Sequence, residues 1–140
     1  MIKLSLHNDS DVSLDYKSIE TLVNLIIESY KFPDGEVSLV IIDDDSLRVM
    51  KKEYLNQDYY TDVIAFNIEE NPFEGEIYIS YDRVRENAKI FNQDFEVEFK
   101  RVIIHGMLHL CGHEDSTKDE KIAMTKLENL FIDRFNNLLY

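Results

Sequence analysis

The sequence predicts a single α+β domain over residues 1-140, with about four strands in a mixed sheet and about five helices packed against it. Short β-branched or alternating segments all lie before Ser80, and segments with three-four apolar spacing fill the chain after it. Hydrophobic residues make up 44% of the 140 residues and charged residues 31%, which is typical of a globular domain with one core.

The first forty residues predict a strand, a helix and a second strand. Residues 2–7 alternate apolar and polar side chains, and residues 37–42 form a β-branched run typical of a buried strand. Between them, Asp15 is a suitable N-cap, and the segment 33–35, Pro-Asp-Gly, ends the helix. The apolar positions of this helix are Ile19, Leu22, Val23, Ile26, Ile27 and Tyr30.

Residues 43–46, Asp-Asp-Asp-Ser, allow two interpretations. They are acidic enough for a metal loop, but we favour an acidic N-cap for a helix from Leu47 to about Leu55. Residues 63–67 and 76–80 are two further short strands, joined by a turn-rich stretch at 71–75.

The rest of the chain predicts three helices. The first covers residues 82–91, and the second, residues 95 to about 110, is apolar on nearly all sides and is therefore expected at the centre. We expect Ser116 to cap the last helix. Its apolar positions are Ile122, Leu127, Leu130, Phe131, Phe135 and Leu138.

Charge and apolar run length narrow the classes of function. The formal net charge is -13, which argues against a surface that attracts nucleic acid as a whole, although small basic groups can still make a local contact. The longest apolar runs are far shorter than the roughly 20 residues that span a bilayer, so we expect no membrane association. The first residues lack a signal-peptide pattern, and Cys111 is the only cysteine, so we expect a cytoplasmic protein without an internal disulfide.

One motif, HGMLHLCGHED at residues 105–115, predicts a metal site. On a helix, His105 and His109 stack on the same face and can converge on one ion. Gly112 can adopt a left-handed conformation after the helix and turn Asp115 toward the imidazoles as a third ligand. Three protein ligands leave a fourth position for water, as in catalytic zinc sites.

Alternatives to this ligand set exist within the motif. His113 would continue the helical stripe if the helix ran through Gly112, but we favour Asp115 because glycine typically ends a helix there. Cys111 points to another face and is expected to be a small buried hydrophobe. The spacing also matches metzincin proteases, except that Gly106 replaces their general-base glutamate.

Three blocks together resemble the YbeY family of endoribonucleases, also called ribosomal RNA maturation factors. The run 105–112 matches the family motif H-G-x-L-H-L-x-G-x-x-H, with Asp115 at the position of its usual third histidine. Residues 61–66, TDVIAF, are similar to the family segment T-D-V-L-S-F, and residues 75–80, GEIYIS, to its G-D-I-x-I-S strand. Glu98 matches a glutamate that commonly precedes the motif, so the likeness extends from about residue 41 to residue 132.

The resemblance implies one Zn²⁺ per chain, held by His105, His109 and Asp115, in a hydrolase that cleaves single-stranded RNA. We expect Glu98 and Asp62 as catalytic residues that orient water; Glu98 can alternatively hydrogen-bond an imidazole or pair with Arg101 or Lys100. The implied role is maturation of ribosomal RNA, at the 3′ end of 16S rRNA, and ribosome quality control, with RNA and the ribosome or its proteins as partners. The alternatives are a ribosome-assembly binding factor with a structural zinc and a metzincin-like metallopeptidase.

One departure from the family concerns RNA binding. A basic residue often follows the tyrosine upstream of the T-D segment, but here Leu55 follows Tyr54. Leucine cannot hold a phosphate, so another cation is expected to take this role. The candidates are Arg48, Lys51, Lys52 and Arg101.

Overall fold

The computed structural model describes residues 2 to 138, and it confirms the α+β class with a four-stranded mixed sheet and five helices. The strands are β1 (Ile2–Asn8), β2 (Gly35–Ile42), β3 (Val63–Glu70) and β4 (Phe73–Ser80). The helices are α1 (Tyr16–Tyr30), α2 (Asp44–Leu55), α3 (Tyr81–Ile90), α4 (Phe95–Leu110) and α5 (Lys118–Leu138). Within this range, no helix is both long and apolar enough to cross a membrane.

The sheet has the order β1-β2-β4-β3, in which β1, β2 and β4 are parallel. β3 pairs antiparallel with β4, with Val63 opposite Ile79 and Phe66 opposite Glu76, and it forms one edge of the sheet. The inward residues Leu39, Ile41 and Ile77 are almost fully buried, as expected for strands covered by helices.

Helix α4 lies at the centre of the fold, as its apolar sequence predicts. It packs against α1, α3, α5, β3 and β4, and its residues Ile103, Ile104, Met107 and Leu108 have no exposed surface. Gly106 lies directly over the sheet: a β-carbon there would lie 2.8 Å from Cγ2 of Ile77. The absence of a side chain therefore allows α4 to approach β4 closely.

The predicted caps are mostly observed, with one correction. Asp15 and Asp43 accept hydrogen bonds from the amides of Ser18 and Ser46, so the acidic segment at 43–46 starts α2, as favoured. Ser116 does not cap α5. Thr117 does, because its hydroxyl accepts from the Glu120 amide while the Glu120 carboxylate accepts from the Thr117 amide, a reciprocal pair that Ser116 is one residue too early to make.

Three predicted elements, β3, β4 and α2, are longer in the structure than expected. β3 continues past residue 67 to Glu70, and β4 starts at Phe73 inside the stretch at 71–75 that was expected to be a turn, so only Asn71 and Pro72 separate the strands. Helix α2 starts three residues before Leu47, because Asp44 and Asp45 occupy its first turn, where acidic side chains favour the positive end of the helix.

Candidate metal centre

The two histidines of the motif occupy adjacent turns on one face of α4. His105 and His109 lie four residues apart, and their Nε2 atoms are 3.0 Å apart with the ring planes inclined at 73°. Both rings are part-buried. The helix therefore presents two imidazole nitrogens to one point at its surface.

The third residue is brought to this point by the turn after α4. Gly112 has a φ of 97°, and the amide of His113 donates to the carbonyl of Leu108, so the helix ends and the chain turns back. The carboxylate of Asp115 then lies 3.2 Å from Nε2 of His105 and 3.6 Å from Nε2 of His109. The spacing of the motif predicted that the chain would bring Asp115 back to the two imidazoles.

These three side chains can hold a metal ion. One donor atom from each of His105, His109 and Asp115 lies within 4.8 Å of the others. Ligands at about 2.0–2.1 Å around a tetrahedral zinc ion are separated from one another by about 3.3 Å. The two Nε2 atoms lie 3.0 Å apart, and the Asp115 carboxylate faces both, with Oδ2 3.2 Å from His105 and Oδ1 3.6 Å from His109. Two imidazoles and a carboxylate are also a donor set that zinc commonly takes.

The alternative ligands point elsewhere. Nε2 of His113 lies 2.8 Å from the hydroxyl of Tyr30, and the two rings make an edge contact, so this histidine faces α1. Cys111 packs against the core, and burial raises the pKa of its thiol to about 12, so the thiol stays protonated at neutral pH.

A glutamate that sequence reasoning missed orients His105. Oε2 of Glu128, on α5, lies 2.6 Å from Nδ1 of His105, and Oε1 accepts from Arg101 at 3.0 Å. This contact places the imidazole proton on Nδ1 and leaves Nε2 free for an ion. Burial by itself lowers the pKa of His105, but the hydrogen bond and charge of Glu128, with the charges of Asp115 and Asp62, outweigh it and leave the pKa raised.

A signal for Glu128 was present in the sequence. It lies on the buried stripe of α5 with Met124, Phe131 and Phe135. A charged residue on an otherwise apolar stripe requires a partner when it is buried, and Glu128 has two.

The predicted catalytic residues lie on one side of the histidine pair. Asp62 and Glu98 line a cavity of about 690 Å³ together with His105, Asp115 and Glu128. Burial raises the pKa of both Asp62 and Glu98, and their mutual repulsion raises that of Glu98 further. Glu98 is 5% exposed. Within residues 2–138 it forms neither the hydrogen bond to an imidazole nor the ion pair with Arg101 or Lys100 that the sequence suggested. Glu128 instead contacts Nδ1 of His105 and pairs with Arg101.

The other side of the pair carries a lysine. A cavity of about 330 Å³ is lined by His109, Lys51, Leu55 and residues of β3 that include Val63 and Asn67. Two of the other candidate cations are engaged elsewhere, because Arg48 pairs with Asp58 at 2.7 Å and Arg101 with Glu128 at 3.0 Å.

Gly106 leaves no space for the glutamate of metzincin proteases. A β-carbon at this position already meets Cγ2 of Ile77 at 2.8 Å and Cγ2 of Val63 at 3.3 Å. A longer side chain would have to displace the sheet, so this helix cannot carry a general base at that position without repacking.

Together, the fold and the site define an α+β protein with a His-His-Asp group, suited to a metal ion, on its central helix and the following turn. The family model described as Endoribonuclease YbeY matches residues 5–136. The chain belongs to this family.

Individual relatives agree. An Endoribonuclease YbeY of Christiangramia forsetii is 45% identical over 111 residues, covering 79% of this chain and 78% of the relative. One of Flavobacterium johnsoniae is 38% identical over 137 residues, covering 89% of this chain and 99% of the relative. The solution structure of a Thermotoga maritima protein matches with a TM-score of 0.62 and 30% identity, over 98% of this chain and 93% of that one.

Proposed function

We propose that this protein is a zinc-dependent endoribonuclease specific for single-stranded RNA. The observation that carries the proposal is the convergence of His105, His109 and Asp115 on one point in a chain of the YbeY family. The proposed role is maturation of ribosomal RNA in the cytoplasm, at the 3′ end of 16S rRNA, and ribosome quality control. The single domain would act on precursor RNA in association with the ribosome.

In this proposal the three ligands hold one zinc ion per chain, and α5 fixes the orientation of His105. Glu128 holds the proton of His105 on Nδ1, and Arg101 fixes the second oxygen of that carboxylate. When bound, the ion supplies Lewis acidity that activates water and polarises the phosphodiester.

Asp62 and Glu98 are the proposed catalytic carboxylates. Both line the cavity beside His105, and their raised pKa values bring proton exchange closer to neutral pH than for exposed acids. Asn87 donates to the Asp62 carboxylate at 3.2 Å and limits its rotation. We assign them the orientation of water and the acceptance of its proton.

The test combines elemental analysis with a cleavage assay. Protein purified without an affinity tag is expected to contain about one zinc per chain and to cleave a single-stranded RNA internally, while a duplex of the same sequence resists. Protein that contains no metal, even after zinc is added, would refute the site.

A ribosome-assembly factor with a structural zinc is the second candidate. The net charge of -13 and Leu55 in place of a basic residue favour binding to a protein partner over RNA cleavage. The variant Asp62→Asn separates the two candidates, because a nuclease would lose cleavage while a binding factor would retain ribosome association. If ribosome association persists and no RNA is cleaved by the zinc-loaded wild type, the binding role replaces the enzymatic one.

A further inference from the structure

Lys51 is the least exposed cation beside the candidate metal centre. It lies on α2, one turn after Leu47, and these two residues are the buried positions of that helix. Leu47 enters the core, whereas Lys51, at 9% exposure, lines the cavity of about 330 Å³ that it shares with His109.

The charge of Lys51 has no acidic partner among residues 2–138. No carboxylate there forms an ion pair with it; its Nζ instead lies over the ring of Tyr59, 4.6 Å from the centroid. Glu114 also lines the cavity, but it is exposed and does not pair with Lys51. The stem of this side chain is buried, but no buried side-chain nitrogen among the described residues lacks a hydrogen-bond partner, so the unpaired ammonium of Lys51 is accessible from the cavity. Its N–H groups are therefore available to donate hydrogen bonds to an anion.

The other basic side chains around α2 are either paired with a carboxylate or lie away from the histidines. Arg48 pairs with Asp58 at 2.7 Å, and Arg83 pairs with Asp44 at 2.7 Å. Lys52 is exposed and lines neither cavity beside the histidines. Lys51 is therefore the cation available to an anion that reaches His109 from this side.

The position of Lys51 on α2 also explains how a cation can reach this cavity although residue 55 is a leucine. Lys51 and Leu55 lie four residues apart on the same face of α2, and both line the cavity with His109. One helical turn is about 5.4 Å, which the long lysine side chain can span. A cation at position 51 can thus serve the space that a basic residue at position 55 would serve.

We propose that Lys51 binds a backbone phosphate of the RNA as it passes His109, in the role that Leu55 cannot fill. The inference rests on the proposed nuclease function and names its phosphate-positioning residue. Lys51 does not touch the reacting atoms. In a protein with net charge -13, a local cation at the site entrance is what an RNA strand requires.

The test measures RNA binding as a function of salt. Zinc-loaded protein that carries Asp62→Asn in the reference and in every variant, so that the probe is not cleaved, is titrated into a fluorescent 2′-O-methyl oligouridylate. The dissociation constant is followed by anisotropy at several salt concentrations. Lys51→Ala is expected to weaken binding about tenfold and to reduce the magnitude of the salt slope by about 0.7, the value for one lost phosphate contact on a single strand. Cleavage of unmodified RNA by this variant should show a raised KM with kcat largely retained.

Lys52→Ala is the matched control, because it removes the same charge from the next position of the same helix. It is expected to leave binding within about twofold of wild type, and Lys51→Arg should restore most of it. Lys51→Met keeps the packing of the side-chain stem, so a melting temperature near that of wild type together with weak binding shows that phosphate contact, not folding, is lost.

The outcomes distinguish this inference from the proposed function. If wild-type protein binds and cleaves RNA while Lys51→Met and Lys52→Ala behave alike, Lys51 is not the phosphate contact and only this inference falls. If zinc-loaded wild-type protein neither binds nor cleaves single-stranded RNA, the nuclease function itself fails and this inference with it.

Discussion

The two sides of the histidine pair differ in charge, and the difference indicates how each is used. The side facing α5 carries Asp62, Glu98 and Glu128, whereas the side facing α2 carries Lys51, Leu55 and a single, exposed acid, Glu114. Carboxylates orient hydrogen-bond donors and exchange protons, but their negative charge repels a phosphate. We therefore expect the acidic side to serve the metal and water, and the lysine side to guide the RNA strand.

The largest effect is expected from removing one of the two histidines that lie between the two sides. His109→Ala should remove stoichiometric zinc and lower RNA cleavage about a thousandfold, because two of the three donors cannot retain the ion in its open geometry. Zinc content by elemental analysis and cleavage rate on single-stranded RNA are the measurements.

His113→Ala is the control for this change. It removes another histidine four residues further along the chain, which contacts Tyr30 instead of the centre, so zinc should remain while stability falls by about 1 kcal/mol. Loss of zinc in His113→Ala with retention in Asp115→Ala would reverse the ligand assignment.

Zinc binding is expected to stabilise the fold. At a free zinc concentration about a hundred times the dissociation constant, the free energy of unfolding should rise by about 2.7 kcal/mol. Asp115→Asn should lose most of this gain, because the neutral amide is a poor zinc ligand, and the neighbouring Glu114→Gln should keep it. Equal stabilisation of both variants in urea titrations would place the ion away from Asp115.

Glu128→Gln tests the acidic side alone. The amide keeps the size of the side chain but holds the proton of His105 less firmly and weakens the pairing with Arg101. Zinc affinity or cleavage should fall about 10- to 100-fold, the usual effect of changing an outer partner of a metal-bound histidine. RNA binding by the lysine side should change little.

Asp133→Asn is the matched control for this charge. It neutralises an exposed acid on the same helix, so both zinc affinity and cleavage should stay near wild type. If the two variants lose zinc affinity equally, the general charge of α5, and not the contact with His105, is what matters.

The sequence predicted some parts of this arrangement better than others. The proximity of the three predicted ligands followed from local spacing, because His105 and His109 lie on one helix and the turn at Gly112 needs only a few residues to return Asp115 to them. Glu128 and Lys51 belong to other elements, and their approach depends on how α5 and α2 pack, which spacing within one segment does not encode.

Element boundaries follow the same division. The central position of α4 was predicted because this segment is apolar on nearly all sides. The start of α5, in contrast, depends on a reciprocal hydrogen-bond pair of Thr117 and Glu120, which competes with a cap at Ser116. The strands β3 and β4 extend because each pairs with the other almost to Pro72, a long-range effect that turn composition alone underestimates.

The smallest effect on RNA affinity is expected from replacing a lysine on the acidic side. This variant tests most directly whether the RNA strand follows the lysine side. Lys121 lines the acidic cavity and, with Lys118 and Lys126, a neighbouring shallow pocket on α5. These three lysines are exposed, so any contact they make with RNA is screened by solvent and salt. Lys121→Ala should weaken binding of the 2′-O-methyl oligouridylate by no more than about twofold, against about tenfold for Lys51→Ala.

The contrast between these two variants decides which side the strand follows. Each removes one positive charge from a cavity that borders the histidine pair, so the change in net charge is the same. If Lys121→Ala has the larger effect on affinity and salt slope, the RNA runs over α5 and the acids there contact it through bound cations. If Lys51→Ala dominates, the strand lies between α2 and β3, and Asp62 and Glu98 remain free to act on water from the opposite side.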